Sequence, residues 1–103
     1  MIARRRLPNR RFSENFDLEF AGLKYKVTVS RFRDGTPAEA FISNHKAGNA
    51  SDVAARDAGI LLSLLLQHGC PVEAIARAVS RNSDGSASAV VGAVLDQITG
   101  GAR

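Results

Sequence analysis

His68 and Cys70 stand two residues apart at the end of the longest apolar segment, where a metal or redox site would first be sought. A zinc site needs about four ligands, and the sequence offers only one more histidine, His45. Because the chain has a single cysteine, it contains neither an internal disulfide nor a redox pair. We therefore predict no metal site and no cofactor, and assign Cys70 the role of a small apolar residue beside a helix end.

Asp57 is the carboxylate that helical periodicity places inside the apolar sector of the long helix described below. A buried carboxylate with a partner charge can act as a general base or orient a ligand. An internal salt bridge or cap to Lys46, Arg77 or a loop amide is the simpler interpretation. No Ser/His/Asp or Cys/His set has a workable spacing, so we predict no catalytic residues and keep Asp57 and Lys46 as candidate binding residues.

Positive charge is concentrated at the start of the chain. Five arginines precede residue 12, namely Arg4, Arg5, Arg6, Arg10 and Arg11. Residues 12–103 hold nine basic and ten acidic side chains, so the remainder is nearly neutral. We predict a flexible basic arm over residues 1–11, which either binds phosphates or acidic protein surfaces or is simply solvated. Its removal is expected to leave the melting temperature almost unchanged.

The segment 51–71 is the apolar centre of the chain. At about 100° per residue its apolar side chains cover roughly two-thirds of a helix circumference. The remaining polar arc holds Asp52, Arg56, Ser63 and Gln67, which we expect to face water. Asn49 or Ser51 can cap the helix, and Gly69 ends it. The strongly apolar part is much shorter than the roughly 20 residues that span a bilayer.

Strands precede this helix, and further helices follow it. Residues 16–20 and 25–29 alternate apolar and polar side chains around an Ala-Gly turn, and residues 39–43 form a third strand after an Asp-Gly turn. We expect Asp17 and Glu19 to face Lys24 and Lys26 across the first hairpin. Residues 72–79 and 90–98 repeat apolar residues at helical spacing.

This order predicts an α+β fold with a three-stranded antiparallel meander followed by three helices on one face, in a single domain over residues 12–100. With one cysteine and no visible signal peptide, the cytoplasm is the expected location. We also expect a homodimer through the third helix, whose apolar stripe consists of Val90, Val91, Val94, Leu95 and Ile98.

Three segments, taken in order, resemble the TSCPD domain. They are LPNRR at 7–11, DGTPAEAFI at 34–42 with KAG at 46–48, and LLLQHGCPVE at 64–73. This domain lies at the C-terminal end of adenosylcobalamin-dependent ribonucleoside-diphosphate reductases and also forms small free-standing bacterial proteins. The Thr-Ser-Cys-Pro-Asp string that names the family is absent here, as is the cysteine-rich tail, so no metal or thiol-relay role is carried over.

The resemblance implies an accessory module of deoxyribonucleotide synthesis, without catalysis of its own, that binds a reductase subunit or a nucleotide. The radical, redox and cobalamin sites of the parent enzyme belong to a barrel much larger than 103 residues. The alternative is a small nucleic-acid-binding or regulatory protein that acts through the arginine arm.

Overall fold

The computed structural model describes residues 3–7, 12–44 and 49–100. Its elements are three strands followed by three helices: β1 (Ser13–Phe20), β2 (Leu23–Arg31), β3 (Pro37–Asn44), α1 (Ala50–Gln67), α2 (Val72–Ala78) and α3 (Val90–Thr99). The strands form one antiparallel sheet in the order β1-β2-β3. This arrangement confirms the α+β fold and the strand meander.

The β1–β2 hairpin has the predicted two-residue turn. Ala21 and Gly22 both adopt positive φ, at 52° and 80°, which suits the right-handed twist of the two strands. The register places Asp17 opposite Lys26 and Glu19 opposite Lys24, as predicted from the alternation. These charges lie on the open face of the sheet and contribute little to stability because they are solvated.

The core lies between the other face of the sheet and the helices. Inward-facing residues of β2 and β3 supply one wall, including Tyr25, Val27 and Ile42, each at most 5% exposed. From α3, Val94 and Leu95 are fully buried in the same cluster. The α3 stripe that we expected to join two subunits therefore packs mainly into this core.

Of the two predicted caps of α1, Asn49 is the one that caps the helix. The Asn49 side-chain oxygen accepts a hydrogen bond from the backbone N–H of Asp52 at 2.8 Å. The Asp52 carboxylate then accepts the backbone N–H of Asn44 at 2.9 Å and the Nε–H of Arg56 at 2.8 Å. Asp52 is only 1% exposed, so the expectation that it faces water is wrong.

The same correction applies to the rest of the polar strip on α1. The Ser63 hydroxyl accepts the backbone N–H of Ala40 at 2.9 Å, and the Gln67 amide donates to the carbonyl of Ala38 at 3.1 Å. Both side chains are buried, and only Arg56 remains exposed as predicted. The strip faces the outer edge of β3, where alternate backbone groups have no neighbouring strand and need other partners.

Small residues let the helix approach this strand edge closely. Gly59 is buried, and a Cβ atom built on it would lie 2.9 Å from the carbonyl oxygen of Ala40. Ala55, one turn earlier, is fully buried. α1 therefore covers the edge of β3, and its polar side chains replace the missing strand.

As a consequence, the opposite side of α1 faces solvent. This side carries large apolar residues that are between 37% and 62% exposed, namely Val53, Ile60, Leu61, Leu64 and Leu65. Asp57 lies among them, in the apolar sector as predicted, but it is exposed, so the carboxylate is not buried. Within the described residues, no helix is long and apolar enough to cross a membrane.

α2 and α3 are joined by an ordered loop. Arg81 donates to the Asp96 carboxylate at 2.7 Å and to the carbonyl of Ala76 at 2.8 Å, which ties the loop to both helices. The hydrogen bond to Asp96 raises the pKa of Arg81 above its ordinary value. This clamp fixes the C-terminal turn of α3 beside the site described next.

Candidate functional site

A cleft of about 480 Å³ opens where the end of β2, the β2–β3 turn, the α1–α2 turn and the last turn of α3 meet. Asp34 and Thr36 line one side of the cleft, and Cys70 and Glu73 line another. Thr99, the last residue of α3, completes the lining. The volume is in the range of small-molecule binding sites. The cleft unites two distant segments, residues 34–37 and 69–73, that also carry the family resemblance.

Arg5 enters this cleft from the N-terminal segment. Its backbone N–H donates to the carbonyl of Gln67 at 2.6 Å, and its guanidinium stacks 3.6 Å from the ring centroid of Phe32. One guanidinium nitrogen also lies 3.8 Å from the Asp34 carboxylate. A cation held over an aromatic ring near a carboxylate has a defined position, so Arg5 forms part of the cleft wall.

Arg4 is bound to the body as well. Its Nε–H donates to the side-chain oxygen of Gln67, whose amide nitrogen donates to Ala38 on β3. Gln67 thus links the N-terminal segment, α1 and the edge of β3. These contacts involve the first part of the predicted arm, and we now expect its removal to lower stability.

The β2–β3 turn holds the Asp34 carboxylate in a defined position at the cleft. Both the backbone N–H and the hydroxyl of Thr36 donate to Asp34, at 3.0 and 2.6 Å. These two hydrogen bonds, with the charge of Arg5 nearby, hold the pKa of the Asp34 carboxyl below its ordinary value. Arg31 donates to the carbonyl of Gly35 at 3.0 Å and pairs with Glu14 at 3.1 Å. The end of β2 and the turn therefore hold the Arg31 guanidinium and the Asp34 carboxylate in defined positions at the cleft.

His68 and Cys70, for which we predicted no metal or redox role, lie at the α1–α2 turn. The backbone N–H of His68 bonds to Leu64, and that of Cys70 bonds to Leu65, so both residues close the end of the helix. Cys70 is partly buried and packs against the apolar core. In the part of the chain that the structure describes, no three His, Cys, Asp or Glu side chains cluster as metal ligands. His45 lies outside that part.

The predicted binding residues do not all meet. Arg4 and Arg5 contact the body as described, whereas Arg6 is exposed and lines only a neighbouring open depression of about 600 Å³. Asp57 does not line the cleft. Three further candidates, Arg10, Arg11 and Lys46, lie outside the described residues.

Several cleft residues were not singled out by their sequence pattern, among them Phe32, Asp34, Thr36, Glu73 and Thr99. Asp34, Thr36 and Glu73 lie within the segments that carry the family resemblance, so the resemblance was the one sequence signal that could have identified them. Phe32 and Thr99 had none, because a phenylalanine after a strand and a threonine at a helix end usually have structural roles. Only the approach of α3 and the N-terminal segment makes them neighbours.

Comparison with known proteins assigns the family. The family sequence model described as the TSCPD domain matches residues 4–100 of the chain. This range includes the cleft and the N-terminal segment that enters it. The chain belongs to the TSCPD domain family. This match confirms the resemblance carried by the three sequence segments.

Two relatives connect the domain with ribonucleotide reductases. The chain is 37% identical over 70 residues to the vitamin B12-dependent ribonucleotide reductase of Agrobacterium fabrum (strain C58 / ATCC 33970), covering 68% of the chain and 6% of the relative. It is 35% identical over 72 residues to the enzyme of the same name from Rhodopirellula baltica (strain DSM 10527 / NCIMB 13988 / SH1). This match covers 70% of the chain and 7% of the relative. The chain therefore spans a small fraction of these reductases. No solved structure gives a significant match.

Proposed function

We propose that this TSCPD domain is a non-catalytic accessory module of ribonucleotide reduction that binds a nucleotide or a reductase subunit, with the cleft as its contact site. One observation carries the proposal: two segments shared with a reductase-related family converge on a cleft of small-ligand size. The similarity covers only 6–7% of the named reductases, so the proposal does not extend their whole reaction to this chain.

The chemistry of the cleft favours a nucleotide as the first ligand to test. Arg5 and Arg31 supply guanidinium groups, which bind phosphate oxygens through paired hydrogen bonds. The carboxylates of Asp34 and Glu73 can accept hydrogen bonds from ribose hydroxyls. The depressed pKa of Asp34 keeps its carboxylate an acceptor at neutral pH.

Isothermal titration calorimetry with ADP, CDP and inorganic pyrophosphate tests this ligand. Arg5→Gln should weaken nucleotide binding about tenfold or more, because the guanidinium in the cleft wall is lost. Arg6→Gln is the matched control, since it removes the same charge from the adjacent exposed residue, which does not line the cleft. Its affinity should stay within about twofold of the unsubstituted chain.

A reductase subunit is tested by co-purification from native lysate with mass spectrometry. We expect the unsubstituted protein to recover a reductase chain. Glu73→Arg in the cleft should abolish this recovery, and Glu19→Arg on the distant hairpin should not. If neither a nucleotide nor a reductase chain binds, the proposed function is wrong.

The arginine substitutions also separate this proposal from nucleic-acid binding by the arm. Two arm arginines, Arg4 and Arg5, are engaged with the body. A nucleic-acid interface made of the arm would lose affinity similarly with Arg5→Gln and Arg6→Gln, and binding would fall steeply with salt. Equal losses and a steep salt dependence would favour that alternative.

A further inference from the structure

The solvent side of α1 carries a group of large, exposed apolar side chains. We define the α1 outer face as Val53, Ile60, Leu61, Leu64 and Leu65, which are between 37% and 62% exposed. Their combined exposed surface is on the order of 400 Å², comparable with the largest apolar patches of monomeric proteins. The opposite side already fixes the helix to β3 through buried hydrogen bonds, so the outer face is available for another contact.

We infer that the α1 outer face is the interface of a homodimer in which the α1 helices of two copies pack antiparallel. This inference does not depend on the proposed function, because none of the five residues lines the cleft.

The order of residues along the face matches an antiparallel copy of itself. A two-fold axis that passes between the two helices at the level of residues 62–63 places Ile60 at the level of Leu65 of the second copy. The same axis places Leu61 opposite Leu64, so large apolar side chains meet throughout the centre. In a parallel arrangement Leu61 would meet Leu61, and the ends of the face would not be complementary.

The polar ends of the face fit the same axis. Asp57 is exposed beside the apolar residues, and His68, partly exposed, caps the C-terminal end of α1. The axis that pairs the leucines also brings Asp57 of one copy opposite His68 of the other. A carboxylate facing an imidazole is favourable, and the pairing occurs twice by symmetry.

The available area sets the expected strength. Two outer faces bury on the order of 1,000 Å² including their rims, which is below the roughly 1,200–2,000 Å² of stable specific interfaces and in the range of weak, transient contacts. We therefore expect a reversible dimer with a Kd in the range of about 10–100 µM and not an obligate one.

Sedimentation velocity over a range of about 5–500 µM tests the dimer. The unsubstituted chain should shift from monomer to dimer across this range. Leu61→Glu should remain monomeric while keeping its circular dichroism spectrum and melting temperature, because Leu61 is 62% exposed. Phe41→Glu is the control: it changes a similarly exposed residue on the opposite side of the sheet, at 53%, and should leave the dimer intact.

A charge exchange tests the antiparallel register. Asp57→His and His68→Asp should each weaken the dimer about fivefold or more, because each variant removes the carboxylate–imidazole pair. The double variant Asp57→His/His68→Asp should return close to the original Kd. A monomer at about 500 µM, or an intact dimer in Leu61→Glu, would overturn the interface. Failure of the double variant to recover would overturn the antiparallel packing.

Discussion

The substitution Gln67→Leu most directly tests how α1 is anchored. From the sequence it extends a leucine run and would be expected to strengthen the core. In the structure the Gln67 side chain is 1% exposed, donates to the carbonyl of Ala38 at 3.1 Å and accepts from Arg4. Leucine at this position leaves the buried carbonyl without its partner and also releases the arginine.

The expected cost follows from these two contacts. A buried polar group that loses its partner costs about 1–3 kcal/mol, and the lost hydrogen bond to the charged Arg4 adds to it. The larger apolar area of leucine offsets part of this, since burying a whole leucine is worth only about 1.5–3 kcal/mol. We expect a net loss of about 1–2 kcal/mol, which lowers the Tm by roughly 5–15 °C for a domain of this size.

Leu65→Gln is the matched control because it makes the reverse exchange on the same helix. Leu65 is 45% exposed, so its replacement should cost less than about 1 kcal/mol. Urea unfolding followed by circular dichroism at low micromolar concentration, with comparable m-values, compares the two variants. If Gln67→Leu is at least as stable as the unsubstituted chain, the conclusion that polar side chains of α1 anchor it to the edge of β3 is refuted.

Four further outcomes are expected. Leu62→Asp should abolish the cooperative melt, because Leu62 is 2% exposed and an unpaired buried carboxylate costs several kcal/mol. Removal of residues 1–7 should lower the free energy of unfolding by about 1–2 kcal/mol through loss of the Arg5 stacking and backbone contacts; an unchanged Tm would instead support a solvated arm. Ala21→Asn should raise stability by about 0.5–1 kcal/mol in urea unfolding, since asparagine tolerates positive φ better than alanine. Asp34→Asn should destabilise the chain near neutral pH. The difference in unfolding free energy from the unsubstituted chain should disappear as the pH falls through the lowered pKa of Asp34, since that carboxylate stabilises the fold only when ionised. A difference that persists in acid would show that charge is not the cause.

The sequence alone determined the order and type of the elements. Alternation with period two identified the strands, helical spacing identified the helices, and the Ala-Gly and Asp-Gly pairs marked the turns. The register of Asp17 with Lys26 followed from the length of the first turn. These features depend on neighbours close in the chain, so local patterns are sufficient to predict them.

The tertiary structure decided which side of α1 is inside. Amphipathicity assigns polar residues to water, and this rule assumes that a helix packs on apolar side chains. Here Asp52, Ser63 and Gln67 instead bond to the outer edge of β3, whose backbone groups attract polar partners more strongly than they attract leucines. The cleft was equally inaccessible to sequence patterns, because Phe32, Arg5 and Thr99 become neighbours only when four separate segments meet. Which surfaces remain exposed depends on contacts between residues distant in the chain, and local periodicity carries no information about them.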